Sequence, residues 1–320
     1  MHITIPDDYQ DAVRSLDCFA RLAGHTVTIY NDTVKDPETL AARLEPADVL
    51  VLIRERTHIT DELLARLPRL KLICQTGRGT VHIDLAACTR RGVVVTAGTG
   101  SAHATAELTW GLILAATRFI PQEVARLRAG HWQFKFGRGL HGRTLGIWGY
   151  GSIGKMVGGY GQAFGMKVLV WGREGSFTRA RADGFAPARD RETFLGESDV
   201  LSLHVKLNAE TRGLVTAADL ALMQTDALLV NTSRAELIEP GALLAALRAG
   251  RPGFAAVDVY EQEPILGADY PLLALDNVIC TPHLGYVEKD SYEGYFGQAF
   301  DQVVAFAAGH PVGVVNPEVL

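Results

Sequence analysis

The sequence predicts an α/β protein, a doubly wound parallel sheet laid out in two consecutive blocks. Three observations carry this expectation. Short apolar, β-rich runs alternate with helix-compatible stretches along the chain. A glycine turn, Gly149-Tyr150-Gly151-Ser152-Ile153-Gly154, stands between the apolar run Leu145-Gly146-Ile147-Trp148 and a helical stretch. The Gly-rich segment Ala97-Gly98-Thr99-Gly100 punctuates the alternation and suits a hinge or linker.

In the first block, His2 to Ile5, Val27 to Tyr30, Val49 to Ile53, Leu70 to Cys74 and Val93 to Thr96 read as strands. Helices are expected around Asp11 to Ala23, Pro37 to Leu44, Asp61 to Leu67 and Leu85 to Arg91. Alternating strand and helix implies parallel pairing with both faces of the sheet covered. A long helix is expected from Ser101 to Phe119, with Ala106, Trp110, Ile113 and Leu114 on one face. Past the glycine turn, strands are expected at Met166 to Trp171, Val200 to Val205, Ala227 to Asn231, Phe254 to Val259 and Val278 to Cys280. Leu243, Leu244 and Leu247, closed by Gly250, mark one intervening helix. A last helix, Lys289 to Ala308, spaces Phe296, Phe300, Val303 and Phe306 for packing and could rejoin the first block. Ligands of such folds bind outside the carboxyl ends of the strands, which here means the cleft between the blocks.

The glycine turn has a physical logic. The first glycine makes the tight turn, the second admits a pyrophosphate to the backbone, and the third lets helix pack on strand. The phosphates then meet the free N–H groups of the helix N-terminus. With 33 glycines in 320 residues the motif alone is weak, but the following strand arrives at the distance a βαβ unit requires.

Composition narrows the function classes. The chain is 48% hydrophobic with mean hydropathy +0.09, a net charge of −5 and pI near 6.1. No run of Lys or Arg suggests a nucleic-acid surface, and no stretch suggests a membrane span or a signal peptide. Cys18, Cys74, Cys88 and Cys280 lack metal-ligand spacing and read as reduced thiols of a cytoplasmic protein; no metal is expected.

Three polar residues stand just past strand ends: Arg234 after Leu229-Val230-Asn231-Thr232-Ser233, Glu263 after Val257-Asp258-Val259-Tyr260, and His283 after Ile279-Cys280-Thr281-Pro282. In a parallel sheet those ends share one edge. Hydride transfer to a 2-oxo acid needs a cation for the carboxylate and carbonyl, and an acid for the developing alkoxide. Arg offers a planar fork and His a proton donor, while a carboxylate beside the imidazole fixes which ring nitrogen faces substrate. Each residue alone also fits a structural role; their common position makes the trio informative.

These motifs, with Asp258-Val259-Tyr260-Glu261-Gln262-Glu263-Pro264 and Thr281-Pro282-His283-Leu284-Gly285, resemble in order and spacing the D-isomer-specific 2-hydroxyacid dehydrogenases. Arg54-Glu55-Arg56-Thr57, Gly77-Arg78-Gly79, Ile83-Asp84-Leu85 and Thr105-Ala106-Glu107-Leu108 also look like segments of that family. The resemblance implies two Rossmann-like domains: a discontinuous, flavodoxin-like substrate domain of residues 1–100 with 285–320, and an NAD(P)-binding domain of residues 101–284. It implies that Arg234 binds the substrate carboxylate and carbonyl, that His283 is the acid/base, and that Glu263 is its partner. Arg54 and the backbone at Arg78 and Gly79 would complete the substrate site. Gly149, Gly151, Ser152, Ile153 and Gly154 would meet the pyrophosphate, Thr232, Asp258 and Gly285 would lie near the nicotinamide, and Thr105 would also bind the cofactor. A homodimer formed through the cofactor domain is also implied.

The chain departs from the family pattern in places. NAD-using members place an acid at the end of the second cofactor-domain strand, where this chain has Gly172 followed by Arg173. Loss of the carboxylate and gain of a cation favour NADP, although Glu174 keeps NAD open. Gly158, Gly159 and Gly161 interrupt the helix after the turn at a cost of roughly 1 kcal/mol each; close packing on the sheet is one reason to keep them. Ala235 stands where the family usually has glycine and Lys206 where it usually has proline; Tyr286 and Trp132 are candidate specificity residues.

The favoured expectation is an NAD(P)-dependent reductase of small 2-oxo acids acting reversibly on D-2-hydroxy acids. A D-3-phosphoglycerate dehydrogenase of serine biosynthesis is the main alternative, made possible by Arg54, Arg56 and Arg78. Because the sequence ends soon after its last helix, the regulatory domain many such enzymes append is not expected here. Formate dehydrogenation is disfavoured, because that branch has an amide in place of Glu263. A dinucleotide-sensing corepressor, which shares this fold, is the alternative outside enzymes.

Overall fold

The computed structural model describes residues 1–320. The chain divides into two compact units, Met1–Ser101 with Val287–Leu320, and Ala102–Tyr286.

In the first unit, β1 (His2–Ile5), β2 (Thr26–Ile29), β3 (Val49–Leu52), β4 (Leu72–Gln75) and β5 (Val94–Ala97) form one parallel sheet in the order β2-β1-β3-β4-β5, the flavodoxin-like arrangement. The register sets Val51 beside Cys74 and Cys74 beside Thr96. Every residue of β3 and β4 is buried, as a strand covered on both faces requires. The covering helices begin at side-chain caps: Asp36 accepts from the Thr39 N–H before Pro37–Leu44, and Asp84 from the Ala87 N–H before Leu85–Arg90. The helix Lys289–Ala307 buries Phe296, Phe300 and Val303 in this unit. Beyond it, Asn316 Oδ1 accepts the Val95 N–H at 2.8 Å, and Gln302 bonds Thr96 and Ala97, so the C-terminal segment is stitched to β5.

One expected helix does not form. Residues 11–23 make two short 3₁₀ turns, Val13–Ser15 and Asp17–Leu22, with Leu16 extended between them. Side-chain acceptors take the N–H groups that a continuous helix would use. Asp8 accepts from Ala12 and Val13, and Glu293 from Asp17 and Cys18.

In the second unit, β6 (Thr144–Trp148), β7 (Lys167–Trp171), the two-residue β8 (Ala186–Pro187), β9 (Val200–Leu203), β10 (Leu228–Asn231), β11 (Phe254–Val257) and β12 (Val278–Cys280) form a seven-stranded parallel sheet. Their order, β12-β11-β10-β9-β6-β7-β8, is the doubly wound dinucleotide-binding order with one further strand. Alternate residues feed two cores. Leu229 and Ala255 join Phe194, Leu220 and Leu243 on one face, while Val230 and Ala256 join Ile113, Val157 and Val170 on the other.

The long helix after Gly100 runs from His103 to Thr117, shorter than the sequence pattern suggests. Its face buries Ala106, Trp110 and Ile113, with the Trp110 ring 4.9 Å from that of Phe164. Phe119 turns left-handed (φ +54°) and starts a separate helix, Ile120–Arg128, with Pro121 in its first turn.

The glycines Gly158, Gly159 and Gly161 of the helix Ser152–Ala163 are not equivalent. A Cβ on Gly161 would lie 2.5 Å from Leu145 Cδ2, and one on Gly158 would lie 3.2 Å from Phe185 Cε2. These two let helix and sheet approach closely. Gly159 faces open space, and nothing in the structure requires a glycine there.

Candidate active site

The glycine turn follows β6 directly. Gly149 has φ +94°, donates its N–H to Trp171 O at 2.9 Å, and would place a Cβ 2.7 Å from His204 O. Only glycine fits there without moving the backbone. Gly151 caps the helix Ser152–Ala163 in extended conformation, with open space where a side chain would point. Gly154 lies against Gly149 O and Ile147, so the helix N-terminus sits close on β6. Ser152 and Ile153 occupy the first helical turn, where backbone N–H groups lack intrahelical acceptors. A groove of about 860 Å³ opens here, lined by Gly149, Gly151, Gly172, Arg173, His204 and Lys206 among others. These features fit a dinucleotide: a side-chain-free cradle for the pyrophosphate and a groove continuing past the end of β7.

At that end Gly172 offers no carboxylate, and a Cβ there would meet Ser176 Oγ at 2.9 Å. Arg173 caps the next helix and pairs with Glu210, both side chains being exposed. Burial pushes the half-buried His204, which bonds Ser202 Oγ at 2.9 Å, down to about 4, so it lines the groove uncharged.

The loops after β10, β11 and β12 carry the three candidate catalytic side chains, and these strands are neighbours in the sheet. After β10, the buried Asn231 organises the turn: its Nδ2 donates to Arg234 O at 2.8 Å and its Oδ1 accepts from Ser233 N at 3.0 Å. Thr232 shares a 2.7 Å hydroxyl bond with Thr109. After β11, Glu263 Oε1 accepts the Tyr260 N–H at 3.0 Å and Oε2 lies 2.5 Å from His283 Nδ1. After β12, His283 is held in the left-handed region at φ +53° with its N–H on Thr281 O.

Asp258, fully buried, fastens this last loop. It accepts from Thr281 Oγ1 at 2.6 Å, Leu284 N at 2.7 Å and Gly285 N at 2.8 Å. Burial pushes its carboxyl above the usual range, and these bonds act against that rise. Thr105 Oγ1 donates to Gly285 O at 2.8 Å, which brings Thr105, Asp258, His283 and Gly285 into one bonded group. The Tyr286 ring stands edge-on to His283 at 5.5 Å. A carboxylate on Nδ1 leaves Nε2 as the free face of the imidazole.

In the first unit, the predicted substrate residues sit past β3 and β4. Arg54 has φ +54°, donates its backbone N–H to Thr76 Oγ1 at 3.0 Å, and lies over the Tyr295 ring at 5.4 Å. Gly77, at φ +95°, could carry a side chain only through the Arg54 guanidinium, and Gly79 only through the Glu55 carboxylate. Arg78 is exposed. Nearby His82 is buried with neither ring nitrogen hydrogen-bonded, and burial pushes it down to about 4.

The organising role of Asn231 and the pairing of Thr109 with Thr232 emerge only from the structure. An amide ending the apolar run Leu228-Leu229-Val230 was the available signal for the first.

The chain is similar to known dehydrogenases in sequence and in fold. Residues 110–285 match the sequence model of the D-isomer specific 2-hydroxyacid dehydrogenase NAD binding domain. The chain is 40% identical over 295 residues to a glyoxylate reductase of Aeropyrum pernix, covering 88% of this chain and 87% of that one. It is 40% identical over 251 residues to a D-3-phosphoglycerate dehydrogenase of Methanocaldococcus jannaschii, covering 78% of this chain and 47% of that one, about half its length. A crystal structure of a phosphoglycerate oxidoreductase from Vibrio cholerae is similar with a TM-score of 0.94 and 55% identity, covering 97% of this chain and 99% of that one.

Proposed function

The chain belongs to the D-isomer-specific 2-hydroxyacid dehydrogenases, NAD-dependent oxidoreductases that interconvert 2-oxo and 2-hydroxy acids, and from that premise we propose that it reduces glyoxylate and hydroxypyruvate with His283 as the acid. The observation that carries the reading is the 2.5 Å contact of His283 Nδ1 with Glu263, on loops leaving neighbouring strands beside the Arg234 loop.

A nicotinamide dinucleotide held at Gly149–Gly154 would supply the hydride. Arg234 takes the substrate carboxylate and carbonyl oxygen in its planar fork, which orients the carbonyl carbon and stabilises charge developing on oxygen. His283 gives the Nε2 proton to that oxygen, and Glu263 keeps the ring oriented with Nδ1 turned inward. Asp258, by fastening Thr281, Leu284 and Gly285, holds the His283 loop in place. We assign the residues round Gly149–Gly154, with Thr105, Thr232 and Gly285, to dinucleotide binding in the unit Ala102–Tyr286. We assign Arg54 and the backbone of Arg78 and Gly79, in the unit Met1–Ser101 with Val287–Leu320, to substrate binding.

NADP is the proposed physiological partner, on the strength of Gly172 and Arg173. The proposed oligomer is a homodimer. The helix Ile120–Arg128 buries none of its residues, and Leu127, Trp132, Phe134 and Phe136 are exposed apolar side chains in one continuous segment. The cysteines are unpaired, and no helix is long and apolar enough to cross a membrane; a reducing, cytoplasmic setting suits both.

A second reading has specific support. Arg54, Arg56 and Arg78 all follow β3 or β4, and the Vibrio cholerae protein carries a phosphoglycerate name. Absorbance at 340 nm with NADPH and NADH, against glyoxylate, hydroxypyruvate, pyruvate, phenylpyruvate and 3-phosphohydroxypyruvate, separates the two. Highest kcat/KM on glyoxylate or hydroxypyruvate supports the proposal. Highest kcat/KM on the phosphorylated acid supports the second reading, and dinucleotide binding without turnover of any acid supports a sensor.

A further inference from the structure

The groove beside the glycine turn is lined by four cations, Arg173, Arg179, Arg191 and Lys206, and one acid, Glu210. Two of the cations are committed to the protein. Arg179 donates through Nε and an NH2 group to Tyr150 O, and Arg191 donates to Leu214 O and pairs with Asp219. Arg173 pairs with Glu210 alone, in water. Lys206 lines the groove with its ammonium in no ion pair.

Lys206 and Glu210 belong to one short, self-bonded loop. Thr211 Oγ1 donates to Lys206 O at 2.7 Å and accepts from Asn208 N at 2.8 Å, while Asn208 Oδ1 accepts from the N–H groups of Glu210 and Thr211. The loop therefore presents one cation and one anion from a fixed turn opposite Arg173. It leaves the end of β9, and β9 adjoins β6, the strand that feeds the glycine turn.

We propose that the Lys206–Thr211 loop is the dinucleotide selector. Lys206 and Arg173 form a subsite for a phosphate monoester on the adenosine ribose, and Glu210 is its built-in competitor. The inference rests on the NADP reading given above and extends it to two side chains outside the strand-end position. Without the phosphate, Glu210 neutralises Arg173. A dianionic phosphate at Gly172 meets no carboxylate there, takes Arg173 from Glu210, and gains Lys206. Because the Arg173–Glu210 pair is exposed, releasing it costs little, whereas a charge-assisted bond to phosphate is stronger. Glu210 then repels the bound phosphate, so it moderates the preference for NADP rather than creating it.

The test is calorimetric titration of the full chain with NADP⁺ and with NAD⁺, for wild type, Lys206→Ala and Glu210→Gln. Both replaced side chains are exposed, and thermal melts check that folding is retained. The expected result is tighter binding of NADP⁺ than of NAD⁺ by wild type. Lys206→Ala then loses about tenfold in NADP⁺ affinity, with NAD⁺ affinity within about twofold, and Glu210→Gln gains several-fold for NADP⁺ alone. Equal losses for both dinucleotides in Lys206→Ala overturn the inference, because Lys206 then acts on groups that both share. A wild type preferring NADP⁺ whose affinity ignores both substitutions overturns the loop's role and leaves the NADP reading standing. A wild type preferring NAD⁺ overturns both.

Discussion

Gly149→Ala and Gly159→Ala are the same chemical change ten residues apart, and the structure predicts opposite signs. At Gly149 a methyl group must accept φ +94°, which costs about 1–2 kcal/mol for a residue with a Cβ. It must also sit 2.7 Å from His204 O and 2.8 Å from His204 C, closer than the 3.0 Å that nonbonded Cβ atoms keep. Those atoms are backbone and cannot rotate away, so overpacking adds about 1–3 kcal/mol. The sum, about 2–5 kcal/mol, corresponds to a fall in Tm of roughly 5–15 °C. Dinucleotide binding should weaken as well, because His204 and Lys206 line the groove. At Gly159 a methyl group meets nothing within 4 Å in a helix interior, so stability rises by about 0.5–1 kcal/mol and Tm by about 1–4 °C. Calorimetric melts of the two variants, each with and without NADPH, read both effects. A Gly149→Ala melt within about 1 °C of wild type, or a Gly159→Ala loss of similar size, refutes the reasoning.

Arg234→Lys keeps the charge and loses the planar fork, so KM for the 2-oxo acid should rise about 10- to 100-fold while dinucleotide affinity stays unchanged; an unchanged KM removes Arg234 from the substrate site. His82, held at about 4 when folded against 6.5 when exposed, binds more protons unfolded than folded between those values. Stability should therefore fall as pH drops from about 6.5 to about 4, by up to about 3 kcal/mol from this residue. In urea melts His82→Gln should flatten that slope by about one proton, and an unchanged slope would place the titration elsewhere. Leu127→Asp combined with Phe136→Asp should convert a dimer to a monomer in sedimentation; a wild type that sediments as a monomer, or a double variant that stays dimeric, contradicts the proposed interface.

Strand positions were legible because a parallel strand buried on both faces leaves an unbroken apolar run, as in Val49-Leu50-Val51-Leu52 or Leu228-Leu229-Val230. Arg234, Glu263 and His283 were legible for a related reason: polar residues just past such runs must lie on one edge of the sheet. Other features depend on partners remote in the chain. The broken helix near Asp17 needs Glu293, which lies far away in the sequence. Gly158, Gly159 and Gly161 look alike in sequence, and only the positions of Phe185 and Leu145 tell them apart. The separate helix Ile120–Arg128 follows a left-handed Phe119, a conformation that bulky residues rarely adopt and local pattern does not signal. Likewise the pairing of Arg173 with Glu210 joins two exposed residues that no periodicity connects.

The proposed catalytic role of His283 is tested most directly by one variant read in two ways. With His283→Ala, kcat for glyoxylate reduction and Kd for NADPH are measured on the same preparation. The account predicts that kcat falls by about 10²- to 10⁴-fold while Kd stays within about twofold. Equal losses in both quantities would mark a structural histidine, and an unchanged kcat would remove His283 from the proton-transfer step.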